Sequence, residues 1–319
     1  MIRLTWVQFR SQVVTAAAAL AVAAVIMAAA SPHRAVNAGF YHWLYMAGTV
    51  ILYLTPAMIG IFWGAPLISH ELETGTYRLA WTQSVTRTRW VAVKLGLGCL
   101  AGMATAGLLS LLVTWWCSPI DRLNPFGNNR LSPLPFATRD LTPVGYAAFA
   151  FALGVTIGLL LRRTVPAIAV TLVIFAAVQV AVPLGVRPHL FAPVRTVTPL
   201  SITNITDVSD LGPANSLTVG TKVDIPGAWV YSTQVIAPDD STALGPEPQP
   251  CTILGKDGAS GACNAALERL HLRQVVTYQP ASRYWAFQFA ETGLYLLLAL
   301  LLAGFCTWRV NRPDPAGRR

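Results

Sequence analysis

The charged side chains with the most informative spacing lie in one block, residues 71–94, which separates two long apolar runs. Glu71 and Glu73 open the block, Gly75 follows them, and Lys94 ends it. A charged residue at the centre of a bilayer costs about 2.5 to 3.5 kcal/mol. We therefore expect the block to lie outside the membrane and the runs beside it to cross the membrane. Taken alone, such a block is typical of a solvated loop between two spans.

No catalytic, metal-binding or phosphate-binding motif occurs elsewhere in the sequence. Neither HExxH, CxxC nor GxxxxGK[ST] is present, and no nucleophile motif can be identified. The histidines are scattered: His33, His42, His70, His189 and His271. The pair His70-Glu71 is typical of a solvated helix end. We therefore predict no catalytic residue, no metal site and no cofactor bound by this chain.

Composition indicates a membrane protein. Of 319 residues, 54% are hydrophobic and 12% are charged, whereas soluble domains carry about 25% charged residues. The net charge of +9 is compatible with nucleic-acid binding, but basic residues beside spans also fix membrane orientation. The second explanation is the simpler one, so we predict no nucleic-acid partner.

Six apolar runs are candidate membrane spans, because a spanning helix needs about 20 mostly apolar residues. They are residues 13–30, 43–67, 95–116, 146–161, 165–184 and 285–306. The fourth run is the shortest of the six. The first run has an alternative interpretation as a signal peptide, since Arg3 and Arg10 precede it and small residues end it. The segment around these arginines is equally compatible with a short interfacial helix or a simple lead-in.

The basic residues predict the orientation of the spans. Of the 23 Lys and Arg residues, eleven are spread over long segments on one side. The other twelve lie in short segments: Arg3, Arg10, Arg78, Arg87, Arg89, Lys94, Arg162, Arg163, Arg309, Arg312, Arg318 and Arg319. Because short basic loops stay in the cytoplasm, both termini are expected there. The preference for Arg over Lys suggests a GC-rich bacterial genome, and thus the bacterial plasma membrane.

These predictions divide the chain into three parts. Residues 1–186 form a membrane domain with spans one to five and a cytoplasmic loop at about 69–94. Residues 187–283 form an extracellular domain, and residues 284–319 form the sixth span and a short tail. The predicted fold class is an all-α polytopic membrane protein of six transmembrane helices with a small α+β extracellular domain between helices five and six.

The extracellular domain has its own sequence character. Residues 216–223, 228–236 and 273–278 are rich in β-forming residues, and 264–270 indicate a helical turn or two. Cys251 and Cys263 are its only cysteines, and an oxidising compartment favours a disulfide between them. Two free thiols are the alternative.

Two further features lie within the spans. Glu291 is the main ionisable residue there, about two turns into the sixth span. Such a charge can mark a substrate path, or it can stay hydrated at the outer interface, and its shallow depth favours the second. Gly154 and Gly158 form a GxxxG pattern that permits close helix packing, within the chain or between two copies.

The charged block also resembles a known loop. Its order is Glu71-x-Glu73-x-Gly75-Thr76-x-x-Leu79, then Val85-Thr86-Arg87, then Lys94. This resembles the loop between spans two and three of ABC type-2 transporter permeases, where two acids, Gly-Thr, a Pro-Val-Ser-Arg-like segment and a Lys recur. Ser84 stands where Pro is usual and Thr86 where Ser is usual. The whole layout is similar to an actinobacterial branch of these permeases.

The resemblance implies an exporter half whose loop holds a coupling helix. Two permease subunits, in a homo- or heterodimer, would each dock a separate ABC ATPase, and that partner would bind ATP and Mg. A short helix with acids at its start would be stabilised by its dipole. The coupling residues implied are Glu71, Glu73, Gly75, Thr76, Tyr77, Arg78, Leu79, Arg87, Arg89 and Lys94. The substrate class implied, by analogy only, is amphipathic or lipid-like.

Two other function classes are kept as alternatives. A polytopic membrane enzyme would need convergent His, Asp or Glu residues near one membrane face. A ligand-sensing membrane protein would use the external domain, but would normally carry a larger cytoplasmic output domain than residues 309–319. A neighbouring ATPase gene would separate the transporter from both.

Overall fold

The computed structural model describes residues 2–29, 38–75, 86–123, 129–201, 205–209, 218–221, 223, 225–239, 241, 265 and 268–312. The chain divides into two compact units. The first comprises Met1–Leu190 together with Trp285–Arg319, and the second is Phe191–Tyr284. Each unit is considered by itself below.

The first unit is helical. Its helices are α1 (Ile2–Ala29), α2 (Ala38–Met58), α3 (Ala65–Thr74), α4 (Arg87–Leu123), α5 (Pro133–Ala137), α6 (Thr142–Leu161), α7 (Thr164–Ala181) and α8 (Tyr284–Asn311). Long apolar runs fold this way because a helix satisfies every backbone hydrogen bond internally, which a bilayer requires. In α1 the helix begins at Ile2, so the lead-in with Arg3 and Arg10 is continuous with the apolar run.

Five helical stretches in the described ranges are long and apolar enough to cross a membrane. They are His42–Thr74, Thr88–Ser118, Thr142–Leu161, Thr164–His189 and Ala281–Asn311. These correspond to predicted spans two to six. The apolar stretch of α1, Val13–Ala29, is shorter, so the first of the six predicted spans stays a prediction.

The second span is one continuous helical rod with a distorted centre. α2 passes through a π-helical segment, Ile59–Gly64, directly into α3. Pro56 lies inside α2 and Pro66 in the first turn of α3, and prolines remove the backbone donors that keep a helix regular. Gly75, with φ +74°, ends α3 in the left-handed conformation that glycine favours.

This helix end corrects one expectation. The run 43–67 predicted that the second span ends before the loop at about 69–94, and the resemblance implied a short coupling helix in that loop with acids at its start. The helix of the second span instead continues to Thr74, so Glu71 and Glu73 end a long helix and do not begin a short one. Hydropathy falls at the membrane surface, but backbone hydrogen bonding continues until Gly75 terminates it.

α6 is the most enclosed of the five candidate spans, with 72% of its best apolar window buried. Its glycines lie against the second span: a Cβ on Gly154 would stand 2.7 Å from the nitrogen of Ala65, and one on Gly158 would stand 2.5 Å from the oxygen of Ala65. Gly60 makes the reciprocal contact, since its Cβ would meet the oxygen of Ala150 at 2.7 Å. The backbones of the two helices therefore touch within this chain.

Gln288 of α8 ties the start of α6 to the bundle. Its side-chain oxygen accepts hydrogen bonds from the backbone N–H groups of Leu141 (3.1 Å) and Thr142 (3.0 Å). Its amide nitrogen donates to the carbonyl oxygens of Phe136 and Arg139 at 3.3 Å. The first N–H groups of a helix lack intrahelical partners. This fully buried glutamine supplies the hydrogen bonds that water makes at an exposed helix start.

The second unit contains two antiparallel sheets in its described part. Its strands are β1 (Val194–Pro199), β2 (Ile205–Ser209), β3 (Thr218–Thr221), β4 (Trp229–Ile236) and β5 (Arg273–Gln279). One sheet has the order β1-β5-β4, and β2 pairs with β3. The predicted strands at 216–223, 228–236 and 273–278 correspond to β3, β4 and β5, and residues 268–269 are helical. β1 and β2 were not predicted, and Cys251 and Cys263 lie outside the described residues.

Candidate functional site

The ends of four helices meet around the charged block. Glu71 and Glu73 lie in the last turns of α3, and Arg87, Arg89 and Lys94 lie in the first turns of α4. Thr76, Tyr77, Arg78 and Leu79 fall outside the described residues. The implied coupling residues that the structure describes thus lie at two helix ends.

An ion pair joins these two helix ends. The Lys94 ammonium contacts the Glu71 carboxylate, and it lies 4.8 Å from the centre of the Trp90 ring. The side chains of Lys94 and Glu71 are 4% and 17% exposed. A charge this far from water is costly unless it is paired, so the pair holds α3 and α4 in a fixed relation.

Glu73 binds a different helix. Its carboxylate accepts hydrogen bonds from the backbone N–H of Thr164 at 3.1 Å and from the Thr164 hydroxyl at 2.8 Å. Ser69, one turn earlier on α3, donates to the same hydroxyl oxygen at 3.3 Å. A carboxylate at a helix start satisfies an unpaired donor and interacts favourably with the helix dipole. Glu73 is therefore a capping group for α7 supplied from another helix.

The start of α4 is fixed in two ways. Thr86 caps the helix: its hydroxyl accepts from the N–H of Arg89 at 3.4 Å, and its carbonyl accepts from the N–H of Trp90 at 3.1 Å. Thr88 donates to the side-chain oxygen of Asn311 at 2.7 Å. The last turn of α8 therefore reaches the same end of the unit, where Arg89 is exposed.

A second polar cluster lies near the other end of the helices. Glu291 accepts two hydrogen bonds from Arg187, at 2.7 and 2.8 Å, and one from the Tyr146 hydroxyl at 2.5 Å. Arg187 and Glu291 have no exposed surface, and the Arg187 guanidinium lies 4.2 Å from the centre of the Phe136 ring. Tyr295 donates to Gln179 beside them at 2.9 Å.

This cluster corrects the interpretation of Glu291 as a hydrated interfacial group. The residue is buried because Arg187, placed by the sequence in the external segment, belongs to the helical unit and neutralises it. Sequence reasoning missed Arg187 as a site residue. The available signal was a lone acid in one span and an Arg at the end of the preceding span.

An apolar cavity of about 600 Å³ lies among α4, α6 and α8. Small side chains line much of it, including Gly96, Ala148, Ala152, Ala299 and Gly304. Glu291 is not among the residues that line it. Within the described ranges no group of three or more His, Cys, Asp or Glu residues is arranged to hold a metal ion.

Comparison with known proteins gives the family. The family model described as ABC-2 membrane transporter related matches residues 1–187, which include the charged block and every helix from α1 to α7. No curated protein and no solved structure matches the chain significantly. The match spans more than half of the 319 residues and agrees with the five apolar helices. The chain therefore belongs to the ABC-2 membrane transporter related family and is a membrane subunit of a transporter.

Proposed function

We propose that this chain is the permease subunit of an ABC exporter and that a separate ATPase docks on the charged block, residues 71–94. The observation that carries the proposal is the family match over residues 1–187. The block includes the end of the first and the start of the second of the five candidate spans in the described chain, His42–Thr74 and Thr88–Ser118. A partner that moves the block would act directly on two membrane-crossing helices.

The side chains of the block suit protein docking. Glu71 and Lys94 hold the two helix ends together, while Arg89 and Thr88 on α4 are exposed. By sequence, Tyr77 and Leu79 supply apolar groups and Arg78 and Arg87 supply charge. Aromatic and arginine side chains dominate the energetics of many protein interfaces. Tyr77, Leu79, Arg78, Arg87 and Arg89 are therefore proposed to contact the ATPase.

The remaining parts of the proposal follow from this role. ATP and Mg are bound by the partner, and this chain needs no cofactor of its own. Two permease subunits pair in a bacterial plasma membrane, with six spans per chain and both termini in the cytoplasm. The second unit faces outward, and transport is directed out of the cell.

Co-purification tests the docking. The permease would be expressed with the ABC ATPase encoded beside its gene and extracted under conditions that preserve membrane complexes. Arg89→Glu is the test variant. Arg312→Glu is the matched control, because it makes the same charge change next to Asn311, which contacts the block through Thr88.

We expect the wild type and Arg312→Glu to retain the ATPase and Arg89→Glu to lose most of it. Monodisperse elution of all three proteins shows that loss does not come from misfolding. If the wild type recovers no ATPase, the coupling role is wrong and the enzyme and sensor alternatives reopen. If both variants lose it equally, the interaction depends on general positive charge and not on the block.

A further inference from the structure

One element outside the charged block is bound directly to it. α7 begins at Thr164, and the backbone N–H and hydroxyl of Thr164 both donate to Glu73. Glu73 is two residues from the glycine that ends α3. The start of the block and the start of α7 are thus joined by two hydrogen bonds across 91 residues of sequence.

The connection before α7 makes this contact important for its position. Arg162 has φ +55° and Arg163 is extended, with φ −133°, so the chain reverses sharply between α6 and α7. No side chain caps α7 from within its own N-cap residue, Arg163. Glu73 therefore takes the place of a local cap, and α3 sets the position of the first turn of α7.

The rest of α7 is attached to its unit along one narrow stripe. Its buried residues are Ala167, Thr171, Phe175 and Gln179, spaced four apart. Val165, Val173 and Val180 on the opposite side are 78%, 67% and 57% exposed. A helix held along one ridge can shift as a body when its end is moved, since helix packing has discrete alternatives that differ by small displacements.

From these contacts we infer that Glu73 is a positioning residue that transmits movement of the charged block to α7 and does not itself contact the ATPase. This inference rests on the proposed function, because the movement comes from the docked ATPase. Glu71 has the corresponding role toward α4 through Lys94. The acids of the block then join helices to one another, Glu73 from an exposed position, and the arginines and apolar residues of the block form the docking surface.

The test follows α7 and α4 separately in the complete complex. An environment-sensitive fluorescent amino acid would replace Val180 on α7 or Leu111 on α4, both of which are exposed. Emission would be compared between the nucleotide-free complex and the complex trapped with ATP and vanadate, reconstituted in nanodiscs. The Leu111 probe reports that the block moves, because α4 is continuous with it.

In the wild type we expect both probes to respond to trapping. Glu73→Ala should keep the ATPase and the response at Leu111 but lose the response at Val180. Glu73→Gln should keep the response at Val180, since an amide oxygen still accepts both hydrogen bonds. Thr88→Val is the matched control: it removes a hydroxyl contact at the same end of the unit, from α4 to α8, and should keep the Val180 response.

Thr164→Val provides a second variant outside the block, and it should also diminish the Val180 response because it removes the hydroxyl donor. A Val180 response that persists in Glu73→Ala and Thr164→Val would overturn the inference. Loss of the ATPase in Glu73→Ala would overturn it too, by showing direct contact. If the wild type itself holds no ATPase, the proposed function fails, which is a different result from a bound ATPase with an unaffected α7.

Discussion

Two ion pairs dominate the helical unit at the scale of single residues. Lys94 pairs with Glu71, 23 residues away, and Arg187 pairs with Glu291, 104 residues away. Both pairs are largely buried, and in each pair the attraction between the charges offsets the cost of removing them from water. Sequence inspection found three of these four residues, but it could not pair them, because pairing depends on which helices become neighbours.

Removing one member of the Lys94–Glu71 pair should destabilise the protein. Glu71→Gln leaves the ammonium of Lys94 without its counter-charge, at a cost of about 2 kcal/mol, below the range for fully buried pairs because Glu71 is partly exposed. The free energy of unfolding in SDS and mild detergent mixtures measures this. The double variant Glu71→Leu with Lys94→Met should recover most of the loss. A double variant as unstable as the single one would show that the charges matter individually.

The Arg187–Glu291 pair should be the more sensitive of the two. Arg187→Met strands a fully buried carboxylate, and losses of about 3 to 5 kcal/mol are typical in that case. Tyr146→Phe removes only one hydrogen bond to the same carboxylate and should cost about 1 to 3 kcal/mol. Thermal unfolding in detergent ranks the two variants. Equal effects would argue that the tyrosine, and not the ion pair, secures Glu291.

At the scale of elements, glycines determine how closely the backbones of neighbouring helices can approach each other. Gly158 faces the backbone of α3, whereas a Cβ built on Gly96 of α4 would have no atom within 4 Å apart from the adjacent residues and the local backbone of its own helix. Both are helical glycines in apolar runs, so their packing cannot be distinguished from the sequence alone. Only the packing of the second span against α6 distinguishes them.

This difference yields a matched pair of substitutions. Gly158→Ala forces its methyl group to 2.5 Å from the oxygen of Ala65, and such overpacking typically costs about 1 to 3 kcal/mol. Gly96→Ala adds a methyl group that meets no other helix within 4 Å, and it gains helix propensity worth up to about 1 kcal/mol. Denaturation of both variants in parallel tests the packing. Loss of stability in Gly96→Ala alone would contradict it.

The elements show which parts of the fold can be predicted from sequence. Apolar runs predicted the location of the five candidate spans found in the described residues, because hydropathy is a local property. Hydropathy did not predict that α3 extends through Glu71 and Glu73, since the end of this helix depends on Gly75. Strand β1 was missed because four of its six residues are exposed and none is buried, so burial imposes little pattern on its sequence.

At the scale of the whole molecule, the predictions concern orientation in the membrane. Twelve basic residues in short segments predict that both termini face the cytoplasm. Green fluorescent protein fused after Arg319 should therefore fluoresce, and alkaline phosphatase inserted in the second unit, after Asp239, should be active. The reverse pattern would place the charged block outside the cell and remove the basis for ATPase docking.

The strand order of the three-stranded sheet has a consequence for the evolution of the protein. β1 opens the second unit and β5 closes it, and they are neighbours, with Val194 opposite Tyr278. The first and last strands of this unit are thus neighbours, and their paired residues lie about 5 Å apart. A domain whose first and last strands are neighbours can be inserted, removed or exchanged during evolution without disrupting the helical unit that carries it. Variation among relatives should therefore concentrate between residues 191 and 284, and a short linker should be able to replace that segment.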